Sequence, residues 1–155
     1  MKHNIACNRL AVVLAIAVGA GLIQTANAEG QACSMNRAAG KWSFTDNGTV
    51  IGLGPRTAVG VFTLDETGNV LNAKATSSLN GSVADETFSG TYTVNPDCTG
   101  TISVKIYASG TEILDVTLNL AFDTGMTQIR GIFTSVLTPN GTPLPTVIGL
   151  EGRRQ

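Results

Sequence analysis

Phe88-Ser-Gly-Thr-Tyr-Thr-Val-Asn-Pro-Asp-Cys-Thr-Gly-Thr-Ile-Ser-Val-Lys-Ile-Tyr107 is the stretch that decides the fold. On both sides of its centre, apolar residues alternate with polar ones. Successive side chains of a β-strand point to opposite faces, so this period of two predicts two strands with one apolar face. Asn95-Pro96-Asp97 supplies turn residues between them. The stretch is therefore a predicted β-hairpin with Cys98 in its turn.

The rest of the chain repeats this design, with short alternating runs separated by turn signals about every dozen residues. Eight such strands predict an all-β domain, most simply an eight-stranded antiparallel up-and-down β-barrel, because closure removes exposed strand edges. A β-sandwich is the alternative. Two long loops are expected, at Asp46–Arg56 and Thr138–Pro145. The other predicted strands begin at Gly40 and span Thr57–Asp65, Val70–Ser78, Ile113–Phe122, Gln128–Leu137 and Thr146–Arg153.

The first 28 residues have the pattern of a signal peptide. Lys2 and Arg9 precede the apolar run Leu10–Ile23, and Ala26-Asn27-Ala28 fits a cleavage site after Ala28. The apolar run has 14 residues, whereas a bilayer span needs about 20, so no stable membrane span is expected. We predict a secreted or periplasmic protein with a signal peptide at 1–28, an N-terminal segment at 29–39 and a barrel domain at 40–155.

Cys33 and Cys98 are the two cysteines that remain after such cleavage. An even pair in an exported chain favours a disulfide, with a lipidated Cys33 as the less favoured alternative. In an up-and-down barrel, the start of strand one and the turn between strands four and five lie at the same end. A bridge there is geometrically possible and would pin the segment 29–39 across that end.

Composition excludes several classes of function. Cleavage leaves eight basic and eleven acidic residues without a basic stripe, so no nucleic-acid partner is expected. The single histidine, His3, is lost with the signal peptide, which removes histidine-based triads and the usual zinc and copper sites. We predict no catalytic residue, no metal and no cofactor. Asp85-Glu86 is interpreted as a solvated loop end, because neighbours in a strand point in opposite directions.

The apolar faces are expected to converge on the barrel interior, where they include Leu71 and Leu137. Interleaved small residues, such as Gly60 and Gly131, would leave volume for neighbouring aromatics or for a ligand. An eight-stranded interior is just wide enough for side chains or one small ligand. The residues predicted to contact a small hydrophobic molecule are Phe62, Phe88, Tyr92, Leu118 and Phe133.

Charged strand residues are all expected on the outer face, and none on the inner one. Lys105 should lie opposite Asp115 in the hairpin of strands five and six, which marks the register. The other outward charges are Lys74, Arg130 and Glu151.

Gly40-Lys41-Trp42 at the first strand resembles the Gly-x-Trp that opens lipocalins and related calycins. That resemblance implies that Trp42 plugs the barrel base and that a late arginine, Arg153 or Arg154, covers it. The segment from Gly90 to Thr101 resembles a motif of small exported bacterial proteins of unknown function, which are similar to calycin or allene-oxide-cyclase-like barrels. Because no helix follows the eighth strand, the cyclase-like barrel is favoured over a true lipocalin.

Three functions follow as hypotheses. The first is binding of a small apolar ligand at the loop-rich mouth of the barrel. The second is a structural or interaction protein with a filled core, and the third is a cyclase-like enzyme. The third requires an inward charged group beside a cavity, and the sequence is interpreted as having none. The oligomeric state does not follow from the sequence.

Overall fold

The computed structural model describes residues 32–155, so the predicted signal peptide and the first residues of the segment 29–39 lie outside the described residues. The described chain begins with a one-turn helix and continues as eight strands. These are α1 Met35–Ala38, β1 Gly40–Val50, β2 Gly54–Leu64, β3 Asn69–Leu79, β4 Ser82–Val94, β5 Thr99–Ala108, β6 Thr111–Phe122, β7 Gln128–Leu137 and β8 Thr146–Arg154.

The eight strands form a closed antiparallel barrel in sequence order. Closure is made by β1 and β8, which pair from Trp42 opposite Arg154 to Val50 opposite Thr146. The prediction of an up-and-down barrel is confirmed, and the sandwich alternative is wrong. Every strand thus has two partners, so the sheet has no free edge to protect.

Cys33 and Cys98 form a disulfide at one end of the barrel, with their Cα atoms 5.0 Å apart. This end also holds the turns 65–68, 95–98 and 123–127, and we call it the pinned end. The predicted placement of both cysteines at one end is confirmed. A disulfide is typical of proteins that mature in an oxidising compartment.

Trp42 seals the barrel at the pinned end and is fully buried. Its indole Nε1 donates to the carbonyl of Ala38 at 2.9 Å, which ties the barrel to α1. Of the two late arginines, Arg154 is the one that lies at this base, where its guanidinium donates to the carbonyls of Arg37 and Ala39. Arg153 pairs with Ser43 in the ladder and is exposed.

Two β-bulges change which residues face inward. In β3 the register shifts between Val70 and Ala73, with Asn72 at a φ of 49°, so Val70 is buried and Leu71 is exposed. In β7 a second shift makes Val136 the buried residue and places Leu137 opposite the outward Asp115. The inward assignments of Leu71 and Leu137 are therefore wrong, because a bulge inserts one residue and reverses the alternation.

The opposite end, which we call the mouth, has shorter connections than predicted. Asp46–Arg56 is not a loop: β1 and β2 run through it and leave only the turn 51–53. The long connection at the mouth is 138–145, which folds back against β7 through a hydrogen bond from Leu144 N to Val136 O. Because β1 and β2 are longer than predicted, their alternation of inward and outward side chains continues towards the mouth and includes Asp46 and Arg56.

The predicted register marker is confirmed, since Lys105 lies opposite Asp115. The lysine ammonium forms its ion pair with Glu112 instead, at 2.9 Å, on the outer face.

Candidate ligand-binding site

Three charged side chains point into the upper half of the barrel. Asp46 shares the inward face of β1 with Trp42 and Phe44, because the three are spaced two residues apart. Arg56 comes from the inward face of β2, and Glu86 from that of β4. Together with Ser77 of β3 they form what we call the charged cluster. All four residues are buried.

The charged cluster is held by hydrogen bonds between its own members. The Arg56 guanidinium donates two hydrogen bonds to the Glu86 carboxylate, from Nη1 to Oε1 at 3.2 Å and from Nη2 to Oε2 at 3.0 Å. Ser77 Oγ donates to Glu86 Oε1 at 2.6 Å. Asp46 Oδ2 lies 3.6 Å from Arg56 Nη2, too far for a strong hydrogen bond but close enough for an ion pair. The arginine–glutamate pair is therefore the well-satisfied part of the cluster.

Asp46 is the poorly satisfied part. Burial raises the pKa of its carboxyl, while the nearby Arg56 charge opposes that rise and the Glu86 charge adds to it. For Arg56, burial disfavours the charged form, but the hydrogen bond with Glu86 and the charge of Asp46 outweigh it and raise the pKa. The guanidinium thus stays charged, and the carboxylate with the least support is that of Asp46.

These positions correct three sequence-based expectations. Glu86 is not part of a solvated loop end, the strand charges are not all outward, and an inward charged group does lie beside a cavity. The sequence did contain a signal. Extending the inward alternation of Phe44 by one step reaches Asp46, and extending that of Phe88 by one step back reaches Glu86.

Below the charged cluster, the interior is nearly filled. A cavity of about 50 Å3 remains, bordered by the cluster and by apolar side chains. The space beside the small residues is largely taken: a Cβ added to Gly60 would lie 2.6 Å from Phe44, and one added to Gly131 would lie 2.8 Å from Leu120. Phe44, Phe62 and Phe88 also contact one another, with ring centroids 5.8–6.3 Å apart. The lower half of the barrel is therefore a packed core.

Above the charged cluster lies a second, larger space, which we call the mouth chamber. Its volume is about 370 Å3, within the range of small-molecule sites. Arg56, Ser77 and Glu86 supply polar groups on its floor. Its walls are mainly apolar and include Val50, Leu79, Ile113, Leu114, Val136, Leu144 and Ile148.

The five predicted ligand contacts fall in different places. Phe62, Phe88 and Leu118 line the lower cavity, and Phe133 lines both that cavity and the mouth chamber. Tyr92 lies instead at the pinned end, where its hydroxyl is within hydrogen-bonding distance of the carbonyls of Asp65 and Met35. Burial there raises its pKa to about 12.

Within residues 32–155, no cluster of three or more histidine, cysteine or acidic side chains has the arrangement of a metal site. No helix in that range has the length and apolarity to cross a membrane.

No protein-family model matches the chain, and no curated protein is significantly similar to it. Solved barrels do resemble its fold. EF1p2_mFAP2b bound to DFHBI is 16% identical with a TM-score of 0.53, covering 81% of this chain and 98% of that one. A redesigned β-barrel is 18% identical with a TM-score of 0.49, covering 79% and 95%. The S-type phycobiliprotein lyase CPES from Guillardia theta is 10% identical with a TM-score of 0.46, covering 81% and 95%. At these identities the likeness concerns the fold alone, and the chain is a small closed β-barrel.

Proposed function

We propose that this protein binds a small, largely apolar molecule in the mouth chamber. The observation that carries the proposal is a space of about 370 Å3 with apolar walls and a few polar groups on one side, the usual composition of a small-molecule site. A solved barrel of similar shape, EF1p2_mFAP2b, holds the small molecule DFHBI. The packed lower half argues against a large internal channel and supports a ligand position at the mouth.

The test is to fill the mouth chamber. Ala84 lines it, and Ala84→Phe would occupy part of its volume. With the neutral apolar probe N-phenyl-1-naphthylamine, we expect saturable fluorescence enhancement and an affinity about tenfold lower in the variant, equivalent to about 1.4 kcal/mol. Thr87→Phe, on the outer face of the same strand, is the matched control and should bind as the unmodified protein does. Equal binding by all three proteins, or no saturable binding, would overturn the proposal.

We further propose that the protein is an exported, calycin-like barrel whose signal peptide is removed after Ala28. The disulfide and the position of Trp42 at the sealed base support this. The N-terminal sequence of protein isolated from its own source should begin at Glu29. A mature chain that starts at Met1 would contradict cleavage. Native mass spectrometry of the same material would identify a co-purified ligand.

A cyclase-like enzyme is a second candidate because three inward charges border the chamber and its lower cavity. The buried carboxyl of Asp46 is suited to proton transfer, since burial raises its pKa. If this candidate holds, a bound compound will be converted on incubation to an isomer of the same mass with a different chromatographic retention time, and Asp46→Asn will abolish the conversion without abolishing binding.

A further inference from the structure

The charged cluster leaves one hydrogen-bond acceptor unused. Within residues 32–155, Asp46 Oδ1 is the buried side-chain atom for which no hydrogen-bond partner is found. The amide of Ala58 and the guanidinium of Arg56 lie close enough to favour the charged carboxyl, yet neither bonds to this oxygen. Asp46 is 2% exposed, and an unpaired buried polar atom destabilises the folded state. A group that donates a hydrogen bond to Oδ1 would remove that destabilisation.

The cluster also has an unbalanced charge. Asp46 and Glu86 supply two carboxylates, and Arg56 supplies one guanidinium. These three are the charged residues that line the lower cavity and the mouth chamber. With both carboxylates ionised, the barrel interior holds one excess negative charge. A second negative charge brought in by a ligand would be repelled in this low-dielectric site, and a positive one would be attracted.

The space beside Asp46 fits a small head group. Asp46 borders the lower cavity of about 50 Å3, which is several times the minimum that holds one water. The lower cavity and the mouth chamber share Arg56, Glu86 and Phe133 as lining residues, so only side chains separate them. An ammonium or hydroxyl group could therefore sit beneath the arginine–glutamate pair while an apolar body fills the chamber above.

We infer that Asp46 makes the site selective for ligands that combine an apolar body with a hydrogen-bond donor, above all a protonated amine. This inference rests on the proposed function and names the ligand class of the same site. Arg56 is a poor receptor for a further anion, because it already faces two carboxylates: Glu86 accepts one hydrogen bond from each of its terminal nitrogens, and Asp46 lies 3.6 Å from Nη2. The acceptor Oδ1, which has no partner, distinguishes an amine or alcohol from a carboxylate.

The test compares three probes with the same chain and different head groups: octylamine, 1-octanol and octanoate. Their affinities for the full-length mature protein are measured by calorimetry at pH 7. We expect octylamine to bind at least about tenfold more tightly than octanoate, with 1-octanol between them, because charge-assisted hydrogen bonds are the stronger ones. Asp46→Asn should reduce this preference to about threefold or less and leave 1-octanol nearly unchanged. Glu151→Gln, which removes an outer carboxylate, should keep the preference.

The outcomes separate the two proposals. If none of the probes binds, the proposed function fails and the inference fails with it. If all three bind equally, or octanoate binds best, binding stands and the inference is overturned. Should Asp46→Asn fail to fold, the unmodified protein is titrated between pH 7 and pH 4. Asp46 is faced by Arg56 and Glu86. Its protonation should weaken the binding of octylamine and leave the binding of 1-octanol unchanged. An unchanged preference across that range would contradict the role of Asp46.

Discussion

The two ends of the barrel differ: the pinned end is sealed, whereas the mouth end is open. The pinned end is sealed by a disulfide, by α1 and by Trp42, all tied together over the base. The mouth end has a space of about 370 Å3 over a layer of buried charges, and Leu53 and Val83 at its rim are 49% and 72% exposed. The difference teaches that the pinned end is held by a covalent bridge and backbone contacts, whereas the mouth end is held by a buried ion pair beneath an open space. Changes at the two ends should therefore have separable effects.

Arg56→Met should have the largest effect because it removes the cation that holds two buried carboxylates. Breaking a buried ion pair costs about 3–5 kcal/mol, so we expect a loss of this size in the free energy of unfolding by urea at pH 7. The control is Arg130→Met, whose ion pair with Glu151 is long and exposed, and which should change stability by about 0.5 kcal/mol or less. Equal stability of the two variants would show that the charged cluster does not support the mouth end.

Removing the disulfide comes next. The bridge links residues separated by 65 positions, and such a bridge restricts the unfolded chain. The double variant Cys33→Ser/Cys98→Ser should lose about 2–4 kcal/mol in urea unfolding. Because the bridge lies at the pinned end, the folded variant should bind N-phenyl-1-naphthylamine as the unmodified protein does. A parallel loss of probe affinity would mean that the two ends are coupled.

Asp46→Asn should have a smaller effect with the opposite sign at neutral pH. Burial raises the pKa of Asp46 in the folded state, so the folded protein binds a proton that the unfolded chain releases above about pH 4. The stability that Asp46 contributes by binding this proton is fully present below about pH 4. It is lost as the pH rises through the pKa of Asp46 in the folded protein. The variant should lack this fall and be more stable at pH 7, on the order of 1 kcal/mol.

The comparison of melting curves at pH 4.5 and pH 7 checks this sign. If Asp46→Asn shows the same difference between the two pH values as the unmodified protein, Asp46 does not titrate as described. Glu151→Gln is again the matched control and should preserve the difference.

Asp65→Asn at the pinned end should have the smallest effect. Hydrogen bonds from the Asn69 side chain and backbone, and from Thr67, lower the pKa of Asp65 to about 2. Its contribution to stability is therefore present above about pH 4 and is lost as the pH falls towards 2. Urea midpoints measured at pH 5 and pH 2.5 should differ less in the variant. Glu66→Gln, at the next residue, is the control and should show the same difference between the two midpoints as the unmodified protein. If Asp65→Asn also shows that full difference, the role assigned to this turn is contradicted.

The charged cluster shows why sequence analysis described the pinned end better than the mouth. Trp42, the cysteines and the turns are recognisable one by one from residue type and spacing. Asp46, Arg56 and Glu86 are each exposed residues by ordinary expectation, and they become buried only as a set drawn from three strands. A charge in isolation argues for a strand end or a loop, because burying it unpaired is costly. The partners of Asp46 lie ten and forty positions further along the chain.

The sequence by itself determined the all-β class, the eight strands, their order around the barrel and the end at which the disulfide lies. These follow from local signals: alternation, turn chemistry and the parity of turns in a meander. Only the tertiary structure decided how much of the interior is filled, where the bulges reverse the faces of Leu71 and Leu137, and that Asp46, Arg56 and Glu86 meet. The physical reason is that strand pairing is read from neighbours in the chain, whereas packing and charge burial depend on residues that closure of the barrel brings together.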